Sequence, residues 1–278
     1  MISPANGVAV KGLPPAPAQP ASLRVAFHAK TLQREIGVQV FGHCEPDRAN
    51  APLLLYFHGG RFDTGRVEDA YGFAAAVAAQ MVVMVVDYPL APAAVFPQTV
   101  DVAFEALQWA HAHAGKFGAN ARDIIVGGDE AGGNLAAALA MMARDGVVAG
   151  SRFSLGGQIL ISPMLDPHQT SASMHARDGC SCRRGWAAYL KTAGDALHPY
   201  AAPLQSRRLA GLAPALIITA EKDVLRDEAE QYAAALIAAG VPVQVRRFHG
   251  VGGDLAQAQH PRFASLVSTV TQFINDPA

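Results

Sequence analysis

Short apolar runs of strand length recur along the 278-residue chain with helical stretches between them, and this alternation limits the fold more than any other feature. The most telling run is Met81-Val82-Val83-Met84-Val85-Val86. It has no polar alternation, so only a strand covered on both faces can use it. Leu53-Leu54-Leu55-Tyr56-Phe57 and Ile124-Ile125-Val126 read the same way, and strands follow near 155–161, from Ala215 to Thr219 and from Val243 to Phe248. Helical spacing falls between them, over about 68–79, 98–115, 131–144, 226–239 and 263–274. In 98–115 the apolar positions include Val102, Leu107 and Trp109. Strand, helix and strand repeated in this way make an α/β class protein, with a mostly parallel sheet and helices on both faces. Two further β-like stretches, 22–28 and 35–41, precede the alternation, and Pro46, Asp47 and Asn50 mark the turn after them.

Composition narrows the partners. With 51% hydrophobic residues and a formal net charge of −1, the chain can bury one large core and offers no basic surface for nucleic acid or an anionic membrane. No apolar run reaches the roughly 18 residues needed to span a bilayer. Residues 1–21 read as a flexible lead-in, Pro/Ala-rich over 11–20 and without the pattern of a secretory signal, and 22–278 as a single domain. Cys44, Cys180 and Cys182 form an odd count, which fits a reduced cytoplasm better than a disulfide framework. Cys180 and Cys182 have only His175 near them, and His111 and His113 face different sides of a helix. No metal and no cofactor is expected.

The chemistry concentrates where a strand meets a helix at Gly127-Gly128-Asp129-Glu130-Ala131-Gly132-Gly133-Asn134. Glycines on both flanks of one side chain are the context of a nucleophile elbow, a sharp turn that presents that side chain above the sheet. The presented residue is Glu130.

Four motifs in order carry a resemblance: HGG at 58–60, DYPLAP at 87–92, GGDEAGGNLA at 127–136 and DVLRDEAEQYAAALIAAGVPVQVRRF at 223–248. Together they resemble the bacterial hormone-sensitive-lipase-like esterases of the α/β-hydrolase superfamily, in register from about residue 52 to 255. The resemblance implies an α/β-hydrolase fold with the irregular segment of about 164–212 as a lid. It also implies a Ser-Asp-His triad, but the serine falls on Glu130 and the histidine on Gly253, while the acid falls on Asp223. The oxyanion hole falls on the backbone of Gly60, Arg61 and Ala131, with Arg61 in place of the loop's third glycine. His58 and Gly59 belong to the same loop. Related esterases often dimerise, which makes a homodimer one possible assembly and leaves the oligomeric state open.

Glu130 cannot form the usual acyl-serine and Gly253 cannot shuttle a proton, so an ordinary serine mechanism is not expected. Arg61 is a charge on the neighbouring loop that a partly buried Glu130 would need as a partner. His249, four residues before Gly253, is the one histidine on that loop able to substitute, and its bland reading is a solvated turn residue. Asp223 otherwise caps the helix near Arg226, and Asp129 braces the elbow. Trp186 and Tyr189 form either the lid's core or the roof of a substrate pocket. The expected function is a repurposed enzyme acting on a small carbonyl-containing molecule, with Glu130 as general acid/base beside a backbone oxyanion hole. An inactive ligand-binding pseudo-hydrolase is the rival from another class, and a non-serine hydrolase with Glu130 as nucleophile is the second enzyme reading.

Overall fold

The computed structural model describes residues 22–43, 50–146, 154–176 and 180–277. The lead-in 1–21, Cys44, Pro46 and Asp47 lie outside the described residues, as does the side chain of Cys180. Strands β1 (Ser22–Ala29) and β2 (Arg34–Phe41) open the chain. Then come β3 (Ala51–Phe57), α1 (Tyr71–Val77), β4 (Val82–Val86), α2 (Gln98–His113), β5 (Ala119–Asp129) and α3 (Ala131–Asp145). Strand β6 (Leu155–Ile161) leads into α4 (Ala172–His175) and α5 (Cys180–Tyr189), and the chain closes with β7 (Ala215–Ala220), α6 (Arg226–Ala238), β8 (Val243–Phe248) and α7 (Phe263–Asn275).

The eight strands make one sheet in the order β1-β2-β4-β3-β5-β6-β7-β8. The β1–β2 and β2–β4 pairs are antiparallel and every other pair is parallel. Side chains alternate across each strand, so one run of apolar residues feeds two cores. Leu53, Leu55 and Phe57 of β3 join Val82, Met84 and Val86 of β4 in the core beneath α2, α3 and α6. Leu54, Tyr56, Val83 and Val85 point to the opposite core with α1 and α7. Each of these ten side chains is fully buried, and burying one contributes about 1.5–3 kcal/mol.

Two elements differ from the sequence expectation. The helix expected over 68–79 is split, with a 3-10 turn at Val67–Ala70 running into α1. Strand β5 begins at Ala119, where it pairs with Ala51, well before the apolar run at Ile124. Its outer residues Asn120 and Arg122 are polar, so periodicity does not reveal them. The segment over 164–212 carries α4, α5 and the 3-10 turns Asp195–Leu197 and Pro203–Gln205.

Candidate active site

Glu130 stands between the end of β5 and the start of α3, with φ 47° and ψ −111°. Few non-glycine residues adopt such a backbone, and it persists only where the surroundings fix it. Here the Glu130 N–H donates to the Ile161 carbonyl at 3.0 Å, while its own carbonyl accepts from Asn134 at 3.1 Å and Met164 at 3.0 Å. Behind the turn, α3 lies almost on β3. A Cβ on Gly132 would stand 1.9 Å from the Phe57 carbonyl oxygen, so no side chain fits there.

The Glu130 carboxylate is held by the loop after β3. The Gly60 N–H donates to Oε2 at 3.0 Å, and the Arg61 guanidinium donates to Oε1 at 3.3 Å. The Arg61 and Glu130 side chains are 33% and 14% exposed, so the pair is partly desolvated. Burial raises the proton affinity of Glu130 above the usual carboxylate range, Arg61 and the Gly60 N–H oppose that rise, and Asp254 and Asp223 add to it. The hydrogen bond from Gly60 has a direct consequence: one donor of the expected oxyanion hole already holds the protein's own carboxylate. Arg61 keeps its backbone in place with φ 56°, in the left-handed region that a glycine would adopt freely. Ala131 is fully buried at the first turn of α3.

Asp129 braces the turn from below. Its Oδ1 accepts from the Tyr56 hydroxyl at 2.8 Å, and its carboxyl is pushed up to about 7, chiefly by burial and then by the neighbouring Glu130 charge. Tyr56 was not singled out from the sequence, because an aromatic inside an apolar strand reads as core. His58 is buried, stacks on Tyr88 with ring centroids 4.5 Å apart, and places Nδ1 2.7 Å from the Gly59 carbonyl. A carbonyl only accepts, so Nδ1 carries the proton. Burial lowers the His58 pKa, so the ring is neutral and braces the loop.

Asp223 lies at the end of β7, 8% exposed, and its Oδ1 accepts from the Leu225 N–H at 3.1 Å just before α6. Its other oxygen has no hydrogen-bond partner among the described residues. Burial raises its proton affinity, with the Ser162 hydroxyl and the Leu225 N–H opposing. Gly253 is the adjacent residue of the β8–α7 loop, and a Cβ there would stand 3.2 Å from Asp223 Oδ2. His249 is elsewhere. Its side chain is 77% exposed and lies 3.8 Å from Glu221, which corrects its expected place in the pocket. A turn that ends at Gly250 with φ 77° carries it outward.

A cleft of about 160 Å³ opens over Glu130. Its walls are polar, with His58, Gly60, Arg61, Asp129 and Asp254 around the carboxylate. Larger grooves exist on the surface, such as one of about 580 Å³ between β8 and α7, but they hold no comparable group of buried titratable side chains. Trp186 and Tyr189 do not line the cleft. They are 3% and 0% exposed and pack on Phe62, with ring centroids 4.9 Å and 4.0 Å away, so they form core and not a substrate roof. Gly59 lines the cleft, where a Cβ would meet Asp129 Oδ2 at 2.3 Å. Asp254 was missed in the sequence, though it directly follows Gly253.

These parts agree with known proteins. A model of the alpha/beta hydrolase fold family matches residues 54–255. The chain is 34% identical to an arylesterase of Saccharolobus solfataricus over 73% of its own length and 68% of the relative's. It is 37% identical to carboxylic ester hydrolase LipN of Mycobacterium tuberculosis over 73% of its own length, and spans 57% of that relative. Among solved structures, a thermostable esterase from Pseudomonas putida superposes with a TM-score of 0.85 at 27% identity, covering 94% of this chain and 84% of that one. A hyperthermophilic esterase from Pyrobaculum calidifontis gives 0.81 at 32% identity, over 91% and 85%. With its mostly parallel eight-stranded sheet and its strained strand-to-helix turn, the chain belongs to the esterase/lipase-like part of the alpha/beta hydrolase fold family.

Proposed function

We propose that the site works through Glu130 in place of a serine, as general acid/base on a small carbonyl-containing molecule. The observation that carries this reading is the Glu130 carboxylate, presented by the elbow and bonded to the Gly60 N–H at 3.0 Å, with its proton affinity raised by burial. A carboxyl whose proton affinity is raised by burial is the kind of group that general acid/base catalysis employs. The proton of a C–H bond beside the carbonyl passes to Glu130, and the bonding electrons move onto the carbonyl oxygen to give an enolate. Once protonated, Glu130 no longer needs the Gly60 N–H as a carboxylate, and that donor and Arg61 turn to the new oxyanion. Elimination, cyclisation and lactone chemistry begin with this step.

The resemblance places a serine at position 130 and a histidine at 253, and neither residue is there. A nucleophilic Glu130 would need a histidine to activate water, and the described cleft offers only the neutral, buried His58. One observation favours a second reading. Because Glu130 itself fills the Gly60 N–H, the cleft also suits a pseudo-hydrolase that binds a small ligand without turning it over. The setting we propose is the cytoplasm; among the described residues no helix is long and apolar enough to cross a membrane.

Hydrolysis of p-nitrophenyl acetate tests the replacement of serine. The native chain is expected to show no more turnover than Glu130→Gln, while the double variant E130S/G253H gains activity, since a side chain on position 253 would start beside the Asp223 carboxylate, its Cβ 3.2 Å from Oδ2. Native turnover with a burst of covalent acyl-enzyme would overturn the reading.

A further inference from the structure

We infer that helix α5 holds the Arg61 guanidinium on Glu130, with Gly185 as the positioning residue. The inference rests on the reading of Glu130 as the working group of the site. It starts from a strained loop. Arg61 and Phe62 are consecutive residues with φ 56° and 72°, a backbone that side-chain-bearing residues rarely adopt. Such a loop keeps its shape only if its neighbours impose it.

The neighbours are Arg184, Gly185, Trp186 and Tyr189 of α5, and they grip consecutive residues of the loop. Gly185 lies against the Arg61 backbone so closely that a Cβ there would stand 2.0 Å from the Arg61 carbonyl oxygen and 3.0 Å from its Cβ. The Phe62 ring stacks flat on Tyr189 at 4.0 Å and leans on Trp186 at 4.9 Å, and the Phe62 carbonyl accepts from the Ala91 N–H at 2.8 Å. The Asp63 carboxylate pairs with Arg184 at 2.7 Å. Three consecutive loop residues, 61 to 63, are thus fixed by four residues of one helix. Only the side chain of Arg61 is left to turn upward, and it reaches Glu130 Oε1 at 3.3 Å.

Gly185 is the contact with least tolerance. Real Cβ contacts do not fall below 3.0 Å, so alanine would drive the Arg61 carbonyl back by about 1 Å, and the guanidinium would follow. The groups that face Glu130 then decide its protonation. Arg61 and the Gly60 N–H hold it as a carboxylate, while Asp223 at the end of β7 and Asp254 on the β8–α7 loop favour the acid. Asp129 beside it is itself shifted upward by the Glu130 charge. Cys182 of α5 also feels Glu130, and its thiol is pushed up to about 12, chiefly by burial, so it adds no charge near neutral pH.

The test is the protonation midpoint of Glu130, read by carbon NMR on glutamate-labelled protein and assigned with Glu130→Gln. Arg61→Ala is expected to raise its proton affinity about fivefold, the weight of a partly exposed ion pair. Gly185→Ala is expected to raise it by a similar factor, and to change it less than 1.5-fold when Arg61 is already alanine. A folded Gly185→Ala protein with the native midpoint overturns the inference, and so does an equal shift in both backgrounds. Should Gly185→Ala not fold, Arg184→Gln carries the test through the Asp63 tether: a twofold rise supports the inference and an unchanged midpoint overturns it. These midpoints are independent of turnover. A chain that shifts as expected but catalyses nothing loses the acid/base reading and keeps the positioning role.

Discussion

Replacing Asp129 by asparagine should remove most of one pH-dependent component of stability. Asp129 is half-buried at the floor of the cleft, its Oδ1 accepts from Tyr56, and its carboxyl is pushed up to about 7 from an ordinary value of 3.8. A folded-state pKa above the unfolded one means that the native state binds the proton more tightly. The stabilisation is therefore complete below about pH 4 and fades as pH rises through 7. For a single group with these two pKa values, the contribution is about 2.7 kcal/mol at pH 5 and below about 0.1 kcal/mol at pH 8. Asparagine keeps the shape and an acceptor for the Tyr56 hydroxyl, and it does not titrate. Urea unfolding of both proteins at pH 5 and pH 8 measures the effect as a double difference. The native chain should lose about 2–3 kcal/mol more than Asp129→Asn on going from pH 5 to pH 8. Equal losses in the two proteins would refute the reasoning, since Asp129 would then titrate like an exposed carboxylate.

Phe62→Ala removes a side chain that is 1% exposed and stacked between α5 and the loop, at a cost of about 3–5 kcal/mol. Thermal unfolding should show a Tm lower by roughly 6–10 °C, at about 2 °C per kcal/mol for a chain of this size; a change under 2 °C would contradict the packing described. Gly132→Ala puts a Cβ 1.9 Å from the Phe57 carbonyl oxygen and should cost about 3 kcal/mol or more in denaturant unfolding. Gly115→Ala, with nothing within 4 Å of its Cβ, serves as the control and should change stability by no more than about 1 kcal/mol.

The inner strands β3, β4 and β7 were legible because they are buried on both faces and so keep continuous apolar runs. The outer half of β5 was not, since Asn120 and Arg122 face partly outward and break the run. At the site, the elbow was legible from its glycines, which close approach demands, and the pairing of Glu130 with Arg61 from the cost of leaving a carboxylate unpaired. Three features were out of reach. The swing of His249 toward Glu221 depends on a turn conformation, the stacking of Phe62 on Tyr189 on a contact between residues 127 apart in sequence, and the filling of the Gly60 N–H by Glu130 on a side-chain rotamer. None of these leaves a periodic trace in the chain.

The central claim is that Glu130 moves protons at the cleft, and hydrogen–deuterium exchange reads this without knowledge of the substrate. Small ketones, lactones and hydroxy-carbonyl compounds with C–H bonds beside the carbonyl are incubated with the protein in D2O and followed by proton NMR. The account predicts that the native chain accelerates deuterium uptake into at least one of them, that the rate rises as Glu130 ionises, and that Glu130→Gln abolishes it while the fold is retained. No acceleration by the native chain across the set, or uptake that Glu130→Gln leaves unchanged, would contradict it.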